Sequence, residues 1–298
     1  LAALLALSVS TSARAQSLAT EWLLSSDTDR FEAVKLRQSF SPNQQTAQEH
    51  WRWSLQKSRY RESDWTLHTS QLGLSYRSSG ESGLQVESNV YMGEGLADQL
   101  ITTENRVSFP LFAASRAEGF LVRDAVETRR GFETNRRFWL VGAGLETQWA
   151  EQWSTVLSWS KTEFSDRNTR SRLLTKLVFD LYPSEGVTVQ IWHRIHRDDD
   201  PMQARGIYFS ADRYRETLVL LGLNRRTPDL RVRARLGWGI QRVALSPESG
   251  SQLAEVSIEP LGKASLTFRT VLTFKRSAGI RGDSYTYRSL TQELIIRF

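Results

Sequence analysis

Residues 289–298 read Ser-Leu-Thr-Gln-Glu-Leu-Ile-Ile-Arg-Phe. Leu290, Leu294, Ile296 and Phe298 recur at a period of two on one face, and Thr291, Glu293, Ile295 and Arg297 occupy the other. This is a strand with one oily side and an aromatic last residue. An edge strand of a soluble sandwich would alternate in the same way. The rest of the sequence decides between that reading and a strand whose oily side meets lipid.

The 298 residues carry a net charge of +6, 10 tryptophans and no cysteine, with a mean hydropathy of −0.42. No window past the first residues supplies the roughly 18 consecutive apolar positions a spanning helix needs, so a helical membrane protein is excluded. The aromatic content is too rich for a disordered chain. A transmembrane β-barrel reconciles the two facts, because only alternate residues meet lipid while the others face a polar interior. The apolar run 1–9 and Ala13-Arg14-Ala15 resemble the core and cleavage site of a secretory signal, which makes 1–15 a signal remnant and 16–298 the barrel. Without cysteine there is neither a lipoprotein anchor nor a disulfide framework, and a secreted chain excludes nucleic acid as the partner of its basic residues.

From Gln16 onward, alternating segments are separated by turn residues: 18–24, 30–40, 49–60, 65–76, 83–92, 98–109, 118–129, 137–149, 153–164, 171–182, 187–196, 205–223 as one broken strand, 230–243, 252–259, 264–275 and 285–298. Bacterial barrels have an even strand number and both termini in the periplasm. Counting back from Phe298 then places the long polar connections 276–283, 244–251, 197–212 and 130–136 outside, and the short turns 260–263, 224–229, 183–186 and 150–152 inside. The expectation is an all-β, up-and-down antiparallel barrel of 16 strands, with residues 18–24 counted as a full strand and 14 as the fallback.

The segment 230–243 separates its faces most clearly. Val232, Ala234, Leu236, Trp238 and Ile240 alternate with Arg231, Arg233, Arg235, Gly237 and Gln241. Arginine costs about 2–4 kcal/mol on a lipid face near the midplane, so the three arginines are expected in the lumen. Residues 187–196 and 264–275 repeat the pattern, with Arg194 and Arg269 on the polar side. Trp139, Trp149, Trp153, Tyr182 and Tyr285 fall at strand ends, as an interfacial girdle would place them.

Thirty-three of the 39 basic residues are arginine, and Arg52, Arg106, Arg123, Arg172, Arg194, Arg231, Arg233, Arg235 and Arg269 fall on the expected lumen face. The planar guanidinium fork suits carboxylates, phosphates and sulfates, so such a lumen would favour anions. The alternative is that these arginines pair with Glu104, Glu127, Asp180 and Glu293 across the wall. A stripe on one strand argues against full pairing, since its neighbours would need acids at the same levels.

Catalytic, cofactor and metal sites are not expected. His193 and His196 are three apart on a strand and so point to opposite faces. Asp198, Asp199 and Asp200 stop at Pro201 without the further spaced acids of a calcium loop. An outer-membrane enzyme using that acidic loop is the least favoured function.

Two resemblances extend this reading. The closing strand, with Leu294, Ile296 and Phe298, resembles the carboxyl-terminal signal of outer-membrane barrels, which implies recognition by a barrel-assembly machinery and residence in outer-membrane lipid. Gly206-Ile207-Tyr208-Phe209-Ser210-Ala211-Asp212-Arg213-Tyr214, followed by a strand and then Leu236-Gly237-Trp238-Gly239-Ile240-Gln241-Arg242, is similar to a loop and glycine-bearing strand of the exopolysaccharide-export porins, the barrels of cellulose and poly-N-acetylglucosamine secretion proteins. Ala211 stands where that family has proline, and no helical-repeat domain precedes the barrel in this sequence. The resemblance implies export of a polysaccharide, with a separate periplasmic helical-repeat partner or none, and with Tyr208, Phe209 and Tyr214 placed to stack on sugar rings or to brace their loop. The runners-up are an anion-preferring small-solute porin and a structural, anchoring barrel.

Overall fold

In the computed structural model, residues 16–42, 49–94, 99–204, 206–261, 265–278 and 284–298 are described. They form β1 (Ser17–Asp27), β2 (Phe31–Ser41), β3 (Glu49–Glu62), β4 (Trp65–Ser79), β5 (Gln85–Glu94), β6 (Leu100–Phe112), β7 (Ser115–Ala125) and β8 (Arg137–Ala150). The second half continues with β9 (Trp153–Phe164), β10 (Thr169–Tyr182), β11 (Val187–Asp198), β12 (Tyr214–Arg226), β13 (Leu230–Val243), β14 (Ser249–Pro260), β15 (Leu266–Ala278) and β16 (Ser284–Arg297). Two short helices, α1 (Arg129–Glu133) and α2 (Pro201–Ala204), lie in the β7–β8 and β11–β12 connections. The expected signal remnant and Arg205 lie outside the described residues.

Each strand pairs antiparallel with its sequence neighbour, and β1 closes the ring on β16 with Ser17 opposite Arg297 and Asp27 opposite Tyr287. Sixteen strands therefore make a closed up-and-down barrel without a free edge, the arrangement in which every backbone donor can be satisfied inside a bilayer. The terminal residue is tied in, since Gln16 and Phe298 exchange backbone hydrogen bonds of 2.9 and 3.0 Å.

The two faces follow the alternation. On β13 the outward Leu236, Trp238 and Ile240 are exposed, and their register partners on β12, Leu221, Val219 and Thr217, lie on the same outer face. Leu18, Leu266 and Ile296 do the same where β1, β16 and β15 meet. A continuous apolar outer belt on a closed barrel is a lipid-facing surface, and the chain spans the outer membrane. Trp149, Trp153 and Phe179 cluster at the end that holds both termini, with ring centroids 5.6 and 4.6 Å apart. The two longest connections, 126–136 and 199–213, leave the opposite end, which the rule of short periplasmic turns and long outer loops makes the extracellular mouth.

Three expectations are corrected. The segment 205–223 is no broken strand: β12 begins at Tyr214, because Gly206 takes a φ of 78° and Ile207 and Tyr208 are both buried where a strand would alternate them. The segment 118–129 ends as a strand at Ala125, and Thr128 caps α1 by accepting the Gly131 amide at 3.0 Å. Tyr285 faces inward, where its hydroxyl donates to Asp27 at 3.0 Å, instead of joining an interfacial girdle.

Candidate functional site: a basic lumen beneath a stapled mouth

The inward faces of β10 to β15 bring together most of the arginines singled out by alternation. Arg172, Lys176, Arg194, Arg231, Arg233, Arg235, Arg269 and Lys275 share this wall with the acids Asp180, Glu216, Glu255 and Glu259. Cations therefore prevail on it. Lys176 and Arg235 both lie over the ring of Trp192, at 4.4 and 5.5 Å from its centroid.

The arginine stripe is more fully paired than one strand alone suggests. In the β13–β14 hairpin Arg235 stands opposite Glu255 and bonds it at 3.1 Å, while Arg233 reaches diagonally to Glu259 at 3.4 Å. Arg231 donates to Asn224 at 3.1 Å. The acids at matching levels that the stripe was expected to lack are thus supplied by β14. Arg194 pairs with the buried Glu216 at 3.2 Å, and Glu216 also accepts from Ser251 at 2.7 Å. Arg52, Arg172 and Arg269, by contrast, have no ion pair among the described residues. Arg52 and Arg269 line one cavity of about 410 Å³ together with Glu21, Arg37, Glu104 and Glu293. Arg106 faces inward and meets Glu118 at 3.6 Å. Arg123 does not: it shares the outer face with Trp139 and lies over its ring at 5.3 Å.

The mouth is built from the two long connections. In the first, Phe132 of α1 reaches across to inward side chains of β2, β3 and β6, packing with Ala33, Tyr60 and Leu100 in a buried cluster, its ring 4.5 Å from that of Tyr60. Glu127 fastens the same connection by accepting from Lys35 at 2.5 Å and from the Tyr60 hydroxyl at 3.2 Å. Gly131 is required in the turn, since a Cβ there would sit 2.2 Å from the Val126 carbonyl oxygen. The Thr128 hydroxyl donates to the Ile207 carbonyl at 2.7 Å, joining the first connection to the second.

In the second connection, Ala204, Ile207 and Tyr208 bury themselves with Val126 and Phe164. Tyr208 stacks on Phe164 at 4.1 Å and 11°, donates to Asp166 and accepts from Asn168 at 3.0 Å. Burial, with the Asp166 carboxylate beside it, pushes the Tyr208 phenol well above its usual range. Asn168 is fully buried, and its side-chain oxygen takes the Asp200 amide at 3.0 Å. Beneath them Arg170 forks onto the buried Asp198 at 2.7 and 2.8 Å, and Ser210 donates to the same carboxylate. Tyr214 stacks on His196 at 4.6 Å and donates to Gln241 at 3.0 Å, with Phe209 edge-on to both rings. The ring faces of Tyr208 and Tyr214 are thus occupied by protein partners in this arrangement. Asp198, one of the three acids in the external run, holds this loop together.

The glycine-bearing strand has a local role too. A Cβ on Gly237 would meet Leu220 at 2.8 Å, so the glycine makes room for an inward leucine that is 1% exposed.

No family model and no curated protein matches the sequence. Solved structures do match over nearly the whole chain. A bacterial polysaccharide outer membrane secretin has a TM-score of 0.70 at 12% identity, with 96% of this chain and 98% of that chain covered. Pseudomonas aeruginosa OpdQ has a TM-score of 0.51 at 10% identity, covering 97% and 100%, and Acinetobacter baumannii OccAB1 has 0.50 at 8%, covering 95% and 96%. At these identities the likeness is one of fold, and that fold is the porin-like outer-membrane barrel.

Proposed function

We propose that the protein is an outer-membrane channel whose basic lumen passes an anionic or neutral polysaccharide outward, without chemistry at the pore. The observation that carries this reading is the β10–β15 wall, where cations prevail and Arg172 and Arg269 stand without an ion pair among the described residues. Two further points support a polymer as cargo. The polysaccharide secretin matches both chains almost end to end with a TM-score of 0.70, against about 0.5 for the porins named above. The Gly206–Tyr214 loop also resembles that of exopolysaccharide-export porins. Lumen arginines with exposed guanidiniums can exchange hydrogen bonds with carboxylates, sulfates or hydroxyls as a chain moves past.

A second reading is a small-solute, anion-preferring porin. It is favoured by the reach of the α1 connection from β7 to β2 and β3, which narrows the mouth. Conductance in planar bilayers, measured with and without added anionic oligosaccharide, separates the readings. Long blockades by oligosaccharide support the polymer channel, and brief ones shared with simple anions support the small-solute porin. An ion-tight barrel refutes both. Replacing Arg231, Arg233 and Arg235 by glutamine is expected to abolish anion preference; unchanged selectivity would mean that the β13 arginines serve only to pair with β14.

A further inference from the structure

A different set of arginines faces away from the lumen. On the outer surface, register aligns Trp159 of β9, Leu173 of β10, Ile195 of β11 and Arg215 of β12 in one row. The neighbouring row toward the mouth holds Lys161, Ser171 and Arg197, and Arg213 immediately precedes β12. Together these residues, Lys161 apart, line a groove of about 540 Å³. Its floor is apolar, with Trp159 49% exposed, and its rim is basic.

Arg197, Arg213 and Arg215 are all exposed and form no ion pair among the described residues. Of the acids nearby, Glu163 pairs with Lys161 at 3.2 Å and Glu248 with Arg242 at 3.3 Å, Asp199 accepts from Thr169, and Asp212, the chain neighbour of Arg213, forms no ion pair with it. Unpaired guanidiniums on a surface that touches lipid are unfavourable unless the lipid supplies the anion. They stand toward the extracellular ends of β10 to β12, where outer-leaflet headgroups would meet the wall. An arginine fork matches a phosphate in geometry and charge, while the Trp159–Leu173–Ile195 floor matches an acyl chain below it.

We infer that this groove is a binding site for a phosphorylated lipid of the outer leaflet, its phosphate held by Arg197, Arg213 and Arg215 and one acyl chain laid on Trp159, Leu173 and Ile195. The site lies on the opposite side of the wall from the lumen and does not depend on what the channel carries.

Native mass spectrometry of the purified barrel, titrated with diphosphoryl lipid A, with the same lipid stripped of its phosphates, and with inorganic phosphate, tests the inference. Diphosphoryl lipid A is expected to be retained at least tenfold more strongly than the stripped lipid. The R197Q/R213Q/R215Q variant is expected to lose that preference, whereas R225Q, which removes an outward arginine at the periplasmic rim, keeps it. Heat-modifiable migration in gels verifies that each variant has closed its barrel, and the single R213Q change, outside the strands, serves if the triple variant does not assemble. It is expected to weaken the preference several-fold. Equal retention of both lipids by the wild type, an unaltered preference in the assembled variants, or displacement of the lipid by inorganic phosphate at equal concentration overturns the inference.

Discussion

Replacing Arg170 by glutamine should release the 199–213 connection while leaving the barrel closed. Asp198 is 1% exposed and its carboxylate takes both arms of the Arg170 guanidinium, at 2.7 and 2.8 Å. Removing one partner of a buried pair costs about 3–5 kcal/mol, because the remaining charge stays desolvated. Arg170 is partly open to solvent, with a side-chain exposure of 20%, and Ser210 still donates to Asp198, so the lower end applies, about 3 kcal/mol. At roughly 1.4 kcal/mol per decade this raises the population of the released loop on the order of a hundredfold. Chymotrypsin provides the assay. Tyr208 is 7% exposed and stacked on Phe164, so cleavage after it requires the loop to open. When opening and closing are fast relative to cleavage, the rate tracks the open population and should rise by the same factor. In the R170Q/D198N double variant two amides replace two charges, no isolated ion is buried, and cleavage should return to within about tenfold of the wild type. Wild-type cleavage in R170Q, or a double variant cut as fast as the single, would refute the assignment of Asp198 and Arg170 as the fastening of this loop.

Phe132→Ala removes the side chain that seats α1 between Tyr60, Leu100 and Ala33, a loss of roughly 3–5 kcal/mol for a well-packed aromatic, which exceeds what the part-exposed Arg129–Asp64 and Lys35–Glu127 pairs retain. Single-channel recordings should show a larger or more noisy conductance than the wild type, with assembly unchanged; an identical conductance would mean that α1 does not bound the path. Glu255→Gln with Glu259→Gln frees Arg235 and Arg233 from their partners. Reversal potentials should then shift toward stronger anion preference, and a shift toward cations would contradict the inward placement of the stripe.

The barrel was legible because its signal is local and repeated. Any strand such as Leu230–Val243 separates lipid from lumen within a few residues, and closure adds only the demand that edges vanish. The β14 acids were legible in principle: Arg231, Arg233 and Arg235 lie across a hairpin from Glu255 and Glu259, and fixing the register of that hairpin aligns them. Arg123 was misplaced because an alternating segment does not by itself say which of its two faces is wet when both carry mixed residues. The mouth was not legible. Its fastenings join residues far apart in sequence, such as Lys35 with Glu127 and Thr128 with Ile207, and neither periodicity nor turn chemistry reports contacts of that kind. One weak signal existed, since an aspartate beside a strand end with an arginine on the neighbouring strand at the same level is a candidate pair once the register is known.

Pairing on the lumen wall does not cancel its attraction for anions. Arg233 and Glu259 are 39% and 38% exposed, and Arg235 and Glu255 are 35% and 31% exposed. Pairs so open to water are worth only ~0–1 kcal/mol, because hydration competes with the partner for each charge. A carboxylate or sulfate on a passing solute can therefore take an arginine from its glutamate at small cost, while the glutamate returns to water. The Arg194–Glu216 pair is different: Glu216 is 2% exposed and held by Ser251 as well, so its exchange would strand a buried acid. The wall thus divides into a fixed pair near the mouth and exchangeable ones toward the periplasm, with Arg172 and Arg269 lacking a partner among the described residues. An anionic chain entering from the periplasmic side would meet the exchangeable arginines first, which gives weak binding at many sites, the condition for passage, and not tight binding at one.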